Sequence, residues 1–319
     1  MYSSSIKNFI VVFVTFVTGV STSAQQKAEV RPYNITTTVK KYEKKYPFIK
    51  GIKPLVSDRF IAEEDIPYKE TQTSVLKLDV YYPSEKNDKN CPGVLLIHGG
   101  GWISGSKENQ RIMAQHLAEN GFVAVTASYR LSQEAVYPAG VIDLKDVLRW
   151  MRKNAETYKL DPNKIAVLGT SAGAQLATLV GVTPDSELYH EKNEAISSAV
   201  QAIVNVDGIV SFVHPEAAAE GEIAGLWLDG GRDENPKNWK EASPLEYVSS
   251  NTPPTLFINS SMPRFHAGRD DMIKILEKNN IYSEVHTLDG SPHSFWLLEP
   301  WFEPTVDFTV SFLNKIFKN

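Results

Sequence analysis

Val167-Leu168-Gly169-Thr170-Ser171-Ala172-Gly173-Ala174-Gln175-Leu176 is the stretch on which the fold turns. Lys164 to Leu168 is a short apolar run suited to a covered parallel strand. Gly169 to Gly173 then fits G-x-S-x-G. In that pattern a serine is held on a strained turn between strand and helix, and the two glycines let the turn close without Cβ clashes. An ordinary helix N-terminus capped by Ser or Thr has the same local look, so the rest of the chain has to decide.

Outward from this turn, strand and helix patterns alternate. An antiparallel outer hairpin is predicted over residues 68–82, then strands over 93–98, 122–129, 200–206, 255–259 and 282–288. Helical spacing follows Met113, spans 141–153 and 272–278, and returns over 306–317. Such alternation predicts an α/β architecture with a mainly parallel central sheet and helices on both faces. Residues 208–247 break the pattern with Pro215, a Glu/Ala run, Gly230-Gly231, Trp227 and Trp239, and are expected to form a small cap or lid insertion. Residues 25–45 are polar and lysine-rich and are expected to be a flexible lead-in. They include Asn34-Ile35-Thr36, a glycosylation sequon.

At 319 residues the chain can bury a full core, and its 42% hydrophobic and 22% charged content is ordinary for a globular protein. A net charge of -5 argues against a nucleic-acid partner. The one cysteine, Cys91, permits no intrachain disulfide. Lys7, the apolar run over residues 9–20 and Ser21-Thr22-Ser23-Ala24 read as a secretory signal removed after Ala24, an uncleaved anchor being the alternative. The expected mature protein is secreted or periplasmic, with no stable membrane insertion.

Two further stretches carry chemistry. His98-Gly99-Gly100-Gly101-Trp102 follows a strand, and its glycines let backbone N–H groups approach an oxyanion. Gly100 and Gly101, with Ala172 next to the serine, are the expected donors. No G-x-G-x-x-G or Gly-Lys-Ser/Thr pattern accompanies them. His98 itself reads as structural. Near the end, Ser291-Pro292-His293 follows the last strand, where a histidine can reach a serine at the same sheet edge and take its proton. His286 is the alternative base. Trp102 and Trp296 lie beside these loops and are candidate sugar-stacking residues. No cluster has metal-ligand spacing, and no cofactor is expected.

In these segments, together with Tyr129-Arg130-Leu131, the chain resembles an α/β-hydrolase of the hormone-sensitive-lipase and acetyl-esterase type, over residues 70–319. The resemblance implies Ser171 as nucleophile, His293 as base and hydrolysis of an ester through an acyl-enzyme. It extends to secreted bacterial carbohydrate esterases, which implies acetyl or methyl esters on plant glycans. The implied domain limits are 1–24 for the signal, 25–69 for the lead-in and 70–319 for the catalytic domain. The chain departs from the family pattern at the acid. Asn259-Ser260-Ser261 stands where an Asp is usual. Asp207, ending the strand over 200–206 before Gly208, is the favoured replacement, ahead of Asp270 and then Asp271. An exopeptidase on the same fold, using the acidic groups Glu216, Glu220 and Glu222, and a non-catalytic binding protein are the competing readings.

Overall fold

A computed structural model describes residues 32–85, 90–184, 186–189 and 195–317, all within one compact unit. The expected signal, 1–24, lies outside the described residues. In chain order the elements are α1 (Ile35–Tyr42), β1 (Lys50–Gly51), β2 (Phe60–Glu70), β3 (Val75–Pro83), β4 (Cys91–Ile97), α2 (Arg111–Glu119), β5 (Val123–Ala127), α3 (Ala139–Lys153), β6 (Leu160–Thr170) and α4 (Ala172–Val182). They continue through β7 (Ala202–Val206), α5 (Glu222–Trp227), α6 (Pro236–Glu241), β8 (Thr255–Ser260), α7 (Arg269–Lys278), β9 (Ser283–Leu288), β10 (Leu298–Glu299) and α8 (Phe302–Phe317).

Eight strands form one sheet in the order β2-β3-β5-β4-β6-β7-β8-β9. The β2–β3 and β3–β5 pairs are antiparallel, and every later pair is parallel. The central strands carry near-continuous apolar runs, such as Val94–Ile97 of β4 and Ile165–Leu168 of β6, because both their faces are covered. Leu95 and Ile97 of β4 point into a core shared with α3, α4 and α7, while Val94 and Leu96 point into a second core shared with α2 and α8. Each such side chain contributes on the order of 1.5–3 kcal/mol by leaving water. Parallel strands all end at the same edge, so the loops after β4, β6, β7 and β9 gather there. The functional chemistry depends on that gathering.

Buried charges cross-link the layers. Asp79 of β3, fully buried, pairs with Lys107 at 2.6 Å. Asp143 of α3 accepts from Arg130 at 2.6 Å and lies 3.2 Å from Lys69. The Tyr129-Arg130 segment is thereby pinned beneath the loop after β4, with the Tyr129 hydroxyl donating to the His98 carbonyl at 2.9 Å.

Two N-terminal expectations need correction. Residues 35–42 of the supposed flexible lead-in form a capped helix. Asn34 accepts from the Thr37 N–H at 3.0 Å in a reciprocal capping box. Ile35, Val39 and Tyr42 share one face and pack on the second core, and Gly51 sits so close that a Cβ there would fall 2.5 Å from Ile35. The lysines that suggested mobility occupy the opposite, solvated face. The catalytic domain likewise begins before residue 70, because β2 starts at Phe60 and lengthens the outer hairpin.

The 208–247 insertion is a packed wall. Trp227 and Trp239 are both 1% exposed. Trp227 stacks on Trp102 with centroids 5.3 Å apart, and Gln175 of α4 donates to the Ala242 carbonyl at 2.8 Å.

Candidate active site

β6 delivers Ser171 to the sheet edge in a conformation that only a tight turn enforces, φ 55° and ψ -124°. The flanking glycines are obligatory there for lack of space. A Cβ on Gly169 would lie 2.0 Å from the Gly173 carbonyl, and one on Gly173 would lie 2.2 Å from the Ile97 carbonyl. The α4 N-terminus is thus pressed against β4, which lifts the serine hydroxyl out of the sheet.

The Ser171 hydroxyl and His293 Nε2 are 2.8 Å apart. On the far side of the ring, His293 Nδ1 is 2.6 Å from Asp207 Oδ2. Asp207 ends β7 at φ 56°, its side chain fully buried, and its other oxygen accepts the Ser260 N–H at 2.9 Å. Serine, imidazole and carboxylate thus form one hydrogen-bonded chain built from three separate loops. The acid contacts Nδ1, so Nδ1 carries the ring proton in the neutral state and Nε2 is left to accept from serine.

Neither alternative acid reaches the ring. Asp270 and Asp271 lie in the first turn of α7, where Asp270 accepts from Arg269 at 2.8 Å and Asp271 from Lys274 at 2.8 Å. Asn259, at the usual acid position, is fully buried and accepts from Arg269 at 2.7 Å. His286, the alternative base, sits within β9 and stacks on Phe308 with centroids 3.9 Å apart.

The loop after β4 supplies the donors. Gly100 and Gly101 have φ of 122° and 63°, in the left-handed region that favours glycine. Ser104 closes the loop by donating through both N–H and hydroxyl to the Gly100 carbonyl, at 3.1 and 2.9 Å. Among the described residues, the N–H groups of Gly100, Gly101 and Ala172 have no backbone or side-chain acceptor, and all three residues line the cavities that open at Ser171. His98 Nδ1–H donates to the Gly99 carbonyl at 2.8 Å, and the ring stacks on Tyr129 at 4.4 Å. Burial pushes His98 down to about 4, with the Gly99 carbonyl partly opposing the shift.

Neither candidate stacking tryptophan has a face free for a sugar, which corrects that expectation, although Trp102 contributes to the wall of the small cavity beside Ser171. Trp102 is 4% exposed and donates to Gln175 at 3.0 Å. Trp296 is 3% exposed, presents its edge to His293 at 5.1 Å and donates to the Tyr33 hydroxyl at 3.1 Å. Each aromatic body fills core space, and its N–H is spent on a buried partner. Phe265, to which the linear sequence assigns no role, stacks on His293 with centroids 3.5 Å apart and planes 11° from parallel. Arg264 lies over the Phe265 ring at 4.4 Å. Only the fold brings this pair to the base, 28 residues upstream of it.

Asp207→Asn should lower kcat by ~10⁴, the loss expected when the orienting carboxylate of such a chain becomes an amide. Asp270→Asn should stay within twofold, measured on a chromogenic ester. The buried His98 binds its proton more weakly folded than unfolded. Its contribution is therefore complete above the ordinary histidine value and is lost as pH falls from about 6.5 toward 4. The ceiling on that loss is about 3 kcal/mol. Thermal melts across this window should show Tm falling with acidification, and less steeply in His98→Asn.

Comparison with known proteins agrees with this geometry. The model of the BD-FAE family matches residues 78–279, more than half of the chain. Esterase LipC of Mycobacterium tuberculosis is 28% identical over 259 residues, 76% of this chain and 62% of that one. The chain spans about half the length of the curated relatives it matches. Est2, a thermophilic esterase of the planctomycete Thermogutta terrifontis, superposes with a TM-score of 0.67 at 25% identity, over 80% of this chain and 92% of that one. A truncated carbohydrate esterase from gut microbiota shares the fold, with a TM-score of 0.65 at 22% identity, over 83% of this chain and all of that one. The protein has the α/β-hydrolase fold and belongs to the BD-FAE family.

Proposed function

We propose that the protein is a serine carboxylic ester hydrolase, exported from the cell, that removes acetyl groups from the sugar units of plant glycans. The observation that carries the esterase reading is the continuous hydrogen-bonded chain Ser171–His293–Asp207 beside three unspent backbone donors. In the reaction, Ser171 Oγ attacks the ester carbonyl while His293 Nε2 takes its proton. The carbonyl oxygen gains the charge and is held by the N–H groups of Gly100, Gly101 and Ala172. Asp207 stays ionised and stabilises the imidazolium. Collapse of the intermediate breaks the bond to the alcohol, which leaves with the proton from Nε2. Water, activated by the same imidazole, then cleaves the acyl-serine and releases the acid.

The division of space at Ser171 supports the acetyl part of this reading. A cavity of about 740 Å³ is lined by His293, Gly100, Gly101 and residues of α1. A smaller one of about 200 Å³ lies toward Ala172, Ile209 and Trp102. The leaving oxygen must reach Nε2, so the alcohol belongs in the cavity that His293 lines and the acyl group in the smaller one. The large cavity falls within the range of pockets that bury whole ligands, and the small one below it. A methyl ester of a glycan acid would reverse the fit and push the sugar into the small pocket, so acetyl esters are favoured over methyl esters. Relatives named as esterases support the reaction class. Glu220 lines the small cavity but is paired with Arg264 at 3.4 Å, which disfavours it as an anchor for a peptide amine. Export rests on Lys7, the apolar run and the small residues before Gln25.

On 4-nitrophenyl esters, kcat/KM should fall at least tenfold from acetate to octanoate, and Ser171→Ala should abolish turnover. Rates that rise with acyl length would sink the acetyl reading. Protein recovered outside the cell in a host that processes its signal should begin at Gln25. A retained Met1 in mature protein would sink the cleaved-signal reading.

A further inference from the structure

The large cavity has a charge the rest of the chain does not lead one to expect. The protein carries a net charge of -5, yet among the described residues lining this cavity there are two lysines, Lys40 and Lys41, and no carboxylate. Both lysines come from the last turn of α1, whose capping box and apolar face hold them at the cleft wall. Among the described residues neither ammonium is paired with a carboxylate. Lys41 instead lies over the Tyr42 ring at 4.9 Å. It is pushed below the ordinary lysine value first by partial desolvation and then by the Arg264 guanidinium nearby. Arg264 itself lines the neighbouring small cavity, where it is paired with Glu220 at 3.4 Å. Asp207 is fully buried behind His293. Unpaired cations gathered on one wall of a cleft repel each other, so a bound anion relieves them.

We propose that Lys40 and Lys41 form a subsite for a carboxylate carried by the alcohol half of the substrate, so that the preferred ester is an acetyl group on a sugar chain containing uronic acid. The inference rests on the esterase reading for its orientation, since it is the need to protonate the leaving oxygen that puts the sugar in the lysine-lined cavity. Helix α1 is then a specificity element supplied from outside the sheet, and the lysines act on binding of the alcohol half, with no part in the covalent steps.

Binding can be tested apart from ester cleavage. Calorimetric titration of the Ser171→Ala protein with trigalacturonate, and with the neutral galactotriose of the same linkage, measures the subsite directly. Trigalacturonate should bind about tenfold more tightly at low ionic strength, the sum expected of a few solvent-exposed ion pairs. That preference should disappear in Ser171→Ala carrying Lys40→Gln and Lys41→Gln, and should shrink in 0.5 M salt by screening. Equal binding of the two sugars, binding of neither, or a preference that survives the double lysine substitution would overturn the proposal. Acetate release by the unmodified enzyme from esterified glycans separates the two readings. Cleavage without anion preference removes only the subsite, and anion preference without cleavage removes the esterase assignment.

Discussion

A buried carboxylate needs partners, and the site is arranged around that requirement. Asp207 is fully withdrawn from water at the end of β7. Left alone it would cost several kcal/mol or take up a proton. Its two oxygens are satisfied by the Ser260 N–H from the next strand and by His293 from the loop after β9. The same two bonds that make the carboxylate tolerable fix the imidazole tautomer and aim Nε2 at Ser171. Stability and chemistry thus rest on one hydrogen-bonded chain, which forms only once β6, β7, β8 and the last loop are in register.

The register in turn depends on close backbone contact. Gly169 and Gly173 admit α4 against β4 and β6, and Gly208 does the same beside Ala174, where a Cβ would lie 2.3 Å away. These contacts set the distance between the serine turn and the glycine loop. The rest of the frame is heavier. Trp102 and Trp227 stack behind the loop with Phe212 tilted against both, and Tyr129 and His98 stack beneath it, so the donors of Gly100 and Gly101 stand on a packed base. Phe265 closes one face of the catalytic imidazole and leaves its two nitrogens at the edges, where their partners wait.

Much of this was legible in the linear chain because it rests on short-range rules. G-x-S-x-G, the glycine run after a strand and a late histidine each encode a local geometry with few alternatives. The preference for Asp207 over Asp270 rests on its position at a strand end on the sheet edge that Ser171 shares. The α1 helix is hidden in the linear pattern for a physical reason. Its eight residues are too few to form a helix alone, and its lysines and threonines mask a stripe of Ile35, Val39 and Tyr42 that matters only against a core. The capping pair Asn34 and Thr37 was the available signal. The linear pattern does not tell whether Trp102 and Trp296 are buried, because exposure is not a local property. An indole beside a catalytic loop looks alike in sequence whether its face meets a sugar or another side chain.

The chain by itself determined the α/β alternation, the strained serine turn, the glycine loop and the base, since backbone sterics and hydrophobic period act between near neighbours. The tertiary structure alone decided which carboxylate meets His293, which aromatic covers it and which cavity each half of an ester can enter. Those are relations between residues tens to hundreds of positions apart, such as Ser171 and His293, 122 apart, or Asp207 and His293, 86 apart. They exist only where the ends of parallel strands bring distant loops to a common edge.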